Sequence, residues 1–326
     1  MTGRGAQGAG RRWRSRDDNH LRPAPCALRP SKVRATIAVA VVGIVLFVYT
    51  RPLTLAHAAA HILLLRAGMH AHYVDVSGHR IRYFLGGDGP PLLLIHGLGS
   101  SSEDWSLVLR DLTRSHRVYA PDLLGWGGSD KPRDGDYSIA AQTELVRGFM
   151  DAVRLPRADA GGVSMGGWVV LRLAALHPER VRRLVLIDSV GLDFPTTLNE
   201  SSFAPQTMDE ARRLLWLQSD QFAKLPGFVV EDFLRRARRE GWILRASMRA
   251  MLTRRDVMDG KLQRVTMPTL IVWGTADRLA PPSLAARLHA QIPQSRVVMI
   301  PGCGHLAVIE CRARAMPVIT QFLDAH

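Results

Sequence analysis

The sequence predicts an α/β fold in which a mostly parallel sheet is flanked by helices. From residue 72 onward, short apolar segments alternate with segments of helical period. LLLIHG at 92–97 and TLIVWG at 269–274 are apolar throughout, which is typical of strands that are buried on both faces of a parallel sheet. The stretch at about 193–266 has no strand pattern and is rich in helix formers, which indicates a helical insertion between two core strands.

The remaining elements follow in chain order. HYVDV and RIRYFL around Ser77-Gly78 predict a hairpin of two short strands. Ser138 is a suitable N-cap for a helix at 138–153, and Pro178 ends a helix that begins near Gly166. The other expected elements are a helix at 102–114, strands at 116–122, 158–163, 183–189 and 296–300, and helices at 282–291 and 312–325.

The insertion predicts a lid of three helices, at 208–225, 229–242 and 243–255. Its apolar side chains either form the surface for an acyl chain or pack the lid on the core. They are Leu214, Leu215, Trp216, Leu217, Phe222, Phe228, Val229, Val230, Phe233, Trp242, Ile243 and Leu244.

The net charge of +14 is concentrated in two segments. Residues 1–34 hold nine basic and two acidic residues, and residues 231–255 hold eight arginines and three acidic residues. The rest of the chain is close to neutral, which excludes a basic face over the whole molecule and argues against nucleic acid as a partner. The arginines of the insertion either contact anionic lipid head groups or are simply solvated.

The N-terminal region predicts a membrane anchor. Residues 1–34 are expected to form a disordered basic tail, and the 16 residues from Ala35 to Thr50 carry no charge. This run spans roughly 24 Å as a helix, and the flanking arginines extend its effective length by snorkelling. We expect a single transmembrane signal anchor at 35–51 with a cytoplasmic N-terminus and the catalytic domain on the far side of the membrane. A cleaved signal peptide and a buried core helix are the alternatives.

Residues 52–71 form either an interfacial helix or a helix packed on the domain, which is expected to comprise residues 72–326. Three cysteines do not make a disulfide framework. Cys26 lies in the tail, and the sequence leaves open whether Cys303 and Cys311 pair.

The segment Gly162-Val163-Ser164-Met165-Gly166 is a G-x-S-x-G motif between a predicted strand and a predicted helix. A serine in such a sharp turn has a strained backbone, and its neighbours two residues away must be small. The N-terminus of the following helix favours negative charge beside the serine. Ser164 is therefore the candidate nucleophile.

A serine hydroxyl needs a base, and the base needs an acid that orients it. Asp277 and His305 each follow a buried strand, at the sheet edge where sites form in open α/β sheets. They are the candidate acid and base, with Asp188 as the rival acid. The N–H groups of Met165 and Leu98 are the candidate oxyanion donors, and we expect His96 to shape the Leu98 loop by hydrogen bonds.

Together, the segments HGLGSSSEDW, DLLGWGGSD, GGVSMGGW, LIVWGTADRLAP and IPGCGH resemble the α/β-hydrolase family over residues 72–326. The apolar N-terminal segment and the start of the insertion resemble its branch of membrane-anchored monoacylglycerol lipases and bacterial esterases. The resemblance implies a serine hydrolase of carboxylic esters, with single-chain lipids such as monoacylglycerols as substrates.

Two other functions stay open. Relatives that cleave carbon–carbon bonds in aromatic ring-fission products share the triad, and a ligand receptor with slow turnover would also retain it. The sequence contains no metal-ligand cluster, P-loop or dinucleotide fingerprint, so no cofactor and no metal are expected. The oligomeric state does not follow from the sequence.

Overall fold

The computed structural model describes residues 30–325. The predicted disordered tail falls largely outside these residues, as does Cys26. The described residues divide into two units, one up to Leu46 and one from Phe47 onward.

Eight strands form one sheet. They are β1 His70–Val76, β2 His79–Gly86, β3 Pro91–Ile95, β4 Arg117–Pro121, β5 Ala158–Val163, β6 Val181–Ile187, β7 Thr269–Gly274 and β8 Arg296–Ile300. Their order across the sheet is β1-β2-β4-β3-β5-β6-β7-β8. β2 pairs antiparallel with both of its neighbours, and all the other pairs are parallel, which confirms the predicted mostly parallel sheet.

Helices lie between the strands in chain order. They are α1 Pro30–Thr50, α2 Pro52–Arg66, α3 Leu109–Leu112, α4 Ile139–Ala152, α5 Met165–Leu176, α6 Met208–Gln218, α7 Asp220–Ala223, α8 Gly227–Leu252, α9 Ser283–Gln291, α10 Ala307–Glu310 and α11 Arg312–Asp324. Short 3-10 helices occupy Ser102–Leu107 and Pro178–Arg180.

The two faces of the sheet bury separate apolar clusters. Leu93 and Ile95 of β3 belong to one cluster, whereas Leu92 and Leu94 belong to the other. This alternation follows from the two-residue period of a strand. Because β3 is covered on both faces, its sequence is apolar at every position.

Local signals fix several element ends as predicted. Ser77 and Gly78 both have positive φ, 52° and 81°, which suits a two-residue hairpin turn between β1 and β2. Ser138 caps α4, since its hydroxyl accepts a hydrogen bond from the N–H of Ala141 at 3.2 Å.

The structure differs from the prediction in three places. The expected helix at 102–114 is a 3-10 helix followed by the single turn of α3. The expected helix at 208–225 is broken at Ser219, whose extended backbone and hydroxyl cap the start of α7. The two expected helices at 229–242 and 243–255 are one continuous helix, α8.

The predicted membrane anchor lies in α1. Among residues 30–325, no single helix combines the length and the apolar composition of a membrane span, and α1 from Arg34 meets both criteria only together with α2, as a bent pair. The α1 side chains whose burial is described, from Arg34 onward, are nevertheless exposed, including Val39, Ile44 and Phe47. In α2, Leu64 is fully buried in the domain, whereas Leu55, Ile62 and Leu65 face solvent.

Candidate active site

Ser164 occupies the turn between β5 and α5, with φ 55° and ψ −120°. A Cβ atom at Gly162 would lie 2.3 Å from the carbonyl oxygen of Gly166, and one at Gly166 would lie 2.3 Å from that of Ile95. The turn therefore requires glycine on both sides of the serine. The N–H of Ser164 donates to the carbonyl oxygen of Ile187 at 3.0 Å, which ties the turn to the end of β6.

The structure brings the three predicted residues Ser164, His305 and Asp277 together. Nε2 of His305 lies 2.7 Å from Oγ of Ser164, and Nδ1 of His305 lies 2.8 Å from Oδ2 of Asp277. The second oxygen of Asp277 accepts the N–H groups of Leu279 and Ala280 at 2.8 and 2.9 Å. These bonds hold the carboxylate in place, so that it fixes the orientation of the imidazole.

Burial, a hydrogen bond and the charges of two carboxylates act on the imidazole of His305, which is almost completely buried. Burial lowers its pKa, but the negative charge of Asp277, its hydrogen bond and the charge of Asp188 together raise the pKa above the usual value. The imidazolium that forms when His305 takes a proton from Ser164 is thereby stabilised.

Asp188, the rival acid, makes no direct bond to His305 among the described contacts. Its two oxygens accept the N–H groups of Gly274 and Ala307 instead. Burial raises its pKa to about 8. The geometry therefore assigns the contact with the base to Asp277.

The candidate oxyanion donors lie at the two expected places. Met165 is the first residue of α5, where helix N–H groups have no partner within the helix. Leu98 belongs to the loop after β3 and lines the cavity together with Ser164 and His305. His96 holds this loop: its Nδ1 donates to the carbonyl oxygen of Gly97 at 2.8 Å, and its Nε2 accepts the N–H of Leu123 at 3.0 Å. Burial lowers the pKa of His96, which keeps its ring neutral.

An apolar pocket opens beside Ser164. Trp168 of α5 forms part of its wall, Met248, Met251 and Leu252 of α8 form another part, and Phe203 a third. The wall contains one ion pair, between Arg254 and Asp193 at 3.1 Å, and both of these side chains are about half exposed.

A second pocket also reaches Ser164 and is more polar than the first. It shares Leu98 and Phe203 with the apolar pocket and adds Ser100, Asp104 and Gln218. Trp105 also lines it, and the indole N–H of Trp105 is buried with no hydrogen-bond partner in the part of the chain that the structure describes. The candidate nucleophile Ser164 thus lies where the apolar pocket and the second, more polar pocket meet.

None of the twelve apolar side chains that the sequence singled out in the insertion lines the apolar pocket. Leu215 and Val230 form a small separate core between α6 and α8, and Ile243 and Leu244 join the main core. Phe233 lines the polar pocket. The helical period of α8 could have indicated that Met248 and Met251 line the apolar pocket. The contribution of Leu192–Phe203 to that pocket depends on tertiary packing alone.

Cys303 and Cys311 form a disulfide bond, a pairing that the sequence left open. The bond closes the segment that contains His305. The loop before this histidine is also held by the N–H of Gly304, which donates to Oε2 of Glu310 at 2.7 Å.

The chain is similar to known hydrolases. Residues 90–310 match the family model for the alpha/beta hydrolase fold. A 2-hydroxymuconate semialdehyde hydrolase from Pseudomonas sp. (strain CF600) is 34% identical over 266 residues, which cover 77% of this chain and 92% of the relative. Lipase 1 from Psychrobacter immobilis is 31% identical over 252 residues, which cover 72% of this chain and 77% of the lipase.

Among solved structures, one described as a membrane phospholipase A and a novel bacterial virulence factor superposes with a TM-score of 0.76 and 28% identity. The match covers 90% of this chain and 98% of that one. The sheet order, the serine turn and these similarities agree, and the chain belongs to the alpha/beta hydrolase fold family.

Proposed function

We propose that this chain is a serine hydrolase that cleaves carboxylic esters of single-chain lipids, such as monoacylglycerols, through an acyl-enzyme on Ser164. The observation that carries the proposal is the hydrogen-bonded series Ser164–His305–Asp277 at the junction of an apolar and a polar pocket. An ester of a fatty acid with a polar alcohol likewise has one apolar part and one polar part.

In the proposed mechanism, Oγ of Ser164 attacks the ester carbonyl carbon while Nε2 of His305 accepts the hydroxyl proton. Asp277 holds the imidazole and stabilises its charge. The N–H groups of Leu98 and Met165 stabilise the oxyanion of the tetrahedral intermediate. His305 then gives its proton to the departing alcohol, and a water molecule activated by His305 releases the fatty acid.

The polar pocket suits the alcohol part of the substrate. The carboxylate of Asp104 offers an acceptor to hydroxyl groups. The helical insertion acts as the lid, since α8 supplies much of the apolar wall for the acyl chain.

The second candidate is a carbon–carbon bond hydrolase acting on a dienone acid, and the similarity to 2-hydroxymuconate semialdehyde hydrolase favours it. A substrate of this kind carries a carboxylate and would be bound best beside a cation. Among the described residues that line the two pockets, Arg254 is the only arginine or lysine, and it is paired with Asp193. Asp104 would repel a carboxylate in the polar pocket, so we favour the ester.

One comparison of substrates decides between these functions. The purified full-length protein in detergent micelles is assayed on glycerol and p-nitrophenyl esters of increasing chain length and on a coloured dienone acid. We expect ester cleavage with the higher kcat/KM, its loss in Ser164→Ala, and fluorophosphonate labelling in wild type and in the exposed control Ser283→Ala but not in Ser164→Ala. Faster turnover of the dienone acid would support the second candidate, and tight ligand binding without turnover would identify a receptor.

We also propose that α1 anchors the enzyme in a membrane as a single-pass protein, with the N-terminus in the cytoplasm and the catalytic domain on the far side. The uncharged run, the exposed apolar side chains of α1 and the preceding basic tail support this orientation. The Cys303–Cys311 disulfide also favours an oxidising compartment for the domain. Reporter fusions at the C-terminus and extraction at alkaline pH test it. A cytoplasmic reporter signal, release from membranes by alkaline pH, or an N-terminus that begins after residue 51 would contradict the proposal.

The basic segment of α8 is proposed to face anionic lipid beside this anchor. Arg235 donates to the carbonyl oxygen of Thr50 at 2.8 Å, and Asp232 accepts the N–H of Leu53 at 3.0 Å, so α8 is bonded to the junction of α1 and α2. We expect Arg239→Gln/Arg255→Gln to lower the ratio of activity in anionic to activity in zwitterionic micelles. The exposed control Arg114→Gln should leave this ratio unchanged, and equal ratios in all three proteins would show that the arginines are only solvated.

A further inference from the structure

The dipeptide Ile187–Asp188 at the end of β6 contacts all three loops that carry the triad. The carbonyl oxygen of Ile187 accepts the N–H of Ser164 at 3.0 Å. Oδ1 of Asp188 accepts the N–H of Gly274 at 2.8 Å, and Oδ2 accepts the N–H of Ala307 at 2.9 Å. Gly274 ends the strand before the Asp277 loop, and Ala307 begins the helix after His305.

The backbone of Asp188 is itself strained and fixed. Its φ of 45° lies in the left-handed region, which residues other than glycine rarely adopt, although aspartate and asparagine tolerate it best. The N–H of Asp188 donates to the carbonyl oxygen of Val272 at 2.9 Å, which continues the pairing of β6 with β7 by one residue. Such strain persists where the surrounding structure determines the conformation, and it clusters at functional sites.

A carboxylate is the side chain that fits these two donors. It offers two acceptor oxygens on a short stem, whereas the amide of asparagine offers one acceptor and one donor group. Asp188 is completely buried, and burial raises its pKa to about 8. Asp277 and His305 are the charged side chains that act on it, and the two N–H groups favour its ionised form.

We propose that Asp188 is a positioning residue for the triad, whose carboxylate fixes the acid loop and the base loop at the separation that places His305 between Asp277 and Ser164. The proposal rests on the proposed serine hydrolase function. Direct bonds between the two loops, such as the N–H of Ala276 to the carbonyl oxygen of Cys303 at 2.8 Å, hold the loops to each other. Asp188 instead holds both to β6, beside the strand that carries the nucleophile.

The informative substitution is Asp188→Asn, which keeps the size and the tolerance for left-handed backbone but turns a donor toward one of the two N–H groups. Misplacing a reacting group by about 1 Å can cost about 100-fold in rate. We therefore expect kcat to fall by about 10- to 100-fold with KM unchanged, because Asp188 lines neither pocket.

Asp159→Asn is the matched control. Asp159 is a fully buried carboxylate in the adjacent strand β5, where it is paired with Arg182 at 2.5 Å. We expect this variant to lose stability while the kcat per labelled active site and the pH profile stay as in wild type. A folded Asp188→Asn protein with the wild-type kcat would overturn the proposal.

Hydrogen exchange in the wild type tests the same contacts if Asp188→Asn does not fold. The amides of Gly274 and Ala307 should exchange as slowly as the amides of β7, and exchange as fast as that of exposed loop amides would overturn the proposal. This measurement does not depend on the reaction. Absence of fluorophosphonate labelling in the wild type would refute the proposed function. The exchange rates would still report on the hydrogen bonds that Asp188 accepts from Gly274 and Ala307.

Discussion

The N–H of His305 donates to the carbonyl oxygen of Gln218 at 2.7 Å. Gln218 is the last residue of α6, so the helical insertion is bonded directly to the loop of the candidate base. Arg278, the neighbour of Asp277, donates to the carbonyl oxygen of Trp216 at 3.2 Å and pairs with Asp220 at 2.9 Å. The end of α6 therefore contacts both the acid loop and the base loop.

This contact predicts that Arg278→Ala weakens catalysis more than stability. The ion pair with Asp220 is exposed and contributes little to stability, and the bond to Trp216 contributes about 1 kcal/mol. If docking of α6 helps to position His305, kcat should fall roughly 3- to 10-fold, within the range of these energies. Steady-state kinetics beside a thermal melt measure the two effects, and Arg264→Ala, an exposed arginine far along the chain from α6, serves as the control. A fall in Tm with unchanged kcat would contradict this role.

The contact between Asp277 and His305 predicts how activity depends on pH. His305 must be neutral to accept the proton of Ser164, and its pKa is raised above the usual histidine value, so activity should begin to decline at a higher pH than it would with a base of ordinary histidine pKa. Asp277→Asn removes the charge that raises this pKa, so the midpoint of the acidic limb should move down, and kcat should fall by about 10⁴-fold as in a serine protease with the same change. The exposed Asp88→Asn is the control for both measurements. An unchanged midpoint in Asp277→Asn would assign the acid elsewhere.

The serine turn and the triad follow from the sequence because each depends on local geometry. The glycines around Ser164 are required by contacts of their own turn, and Asp277 and His305 follow adjacent parallel strands whose ends must meet. The sequence does not predict the remaining contacts of the site, because they join residues that are far apart in the chain. Leu98 and Met251 line one pocket although they are far apart in the chain, and that proximity arises only when the insertion packs on the sheet.

The helical insertion also shows what the sequence does and does not predict. Its helices are amphipathic, so the sequence correctly predicts that they are helices with apolar faces. Which apolar residue meets the substrate depends on rotation about the helix axis: Leu234 packs against α6, whereas Met248 and Met251 face the pocket. Asp188 could be recognised in the sequence only as a rival acid, because its bonds go to backbone groups.

Substitution of Gly166, two residues after the candidate nucleophile Ser164, is expected to cause a severe packing defect. In Gly166→Ala the new methyl group would lie 2.3 Å from the carbonyl oxygen of Ile95 and 2.4 Å from that of His96, and both belong to the backbone of the oxyanion loop. Overpacking of this kind costs about 1–3 kcal/mol or more, so we expect a lower Tm and loss of fluorophosphonate labelling. Gly227→Ala, whose nearest atom is a terminal nitrogen of Arg212 at 3.7 Å, should be neutral or stabilising in the same melt. Equal melts for both variants would contradict the close packing of the turn.

The apolar pocket predicts a limit on acyl-chain length. Met251 lies in its wall on α8, and a tryptophan there would fill space that a long chain needs. In Met251→Trp we expect kcat/KM for dodecanoyl and longer esters to fall by about 10- to 100-fold, since each excluded methylene costs about 0.8 kcal/mol, while acetyl and butyryl esters react as before. Arg249→Ala, on the exposed side of α8 beside Glu200, should leave the chain-length profile unchanged. A uniform loss for all chain lengths would place Met251 outside the acyl site.

We expect reduction of the disulfide to affect the loop that presents His305 before it affects the sheet. Cys303 and Cys311 enclose His305, and cross-linking a segment of 8 residues stabilises a protein by about 2–3 kcal/mol in the chain-entropy model. In Cys303→Ser/Cys311→Ser we therefore expect a Tm lower by several degrees and a lower kcat, because the loop that presents His305 loses a covalent constraint. A thiol reductant should reproduce both effects in wild type and leave the double variant unchanged, and Cys26→Ser should behave as wild type throughout. A variant with the wild-type Tm and kcat would show that hydrogen bonds such as Gly304 N–H to Glu310 suffice to hold the loop.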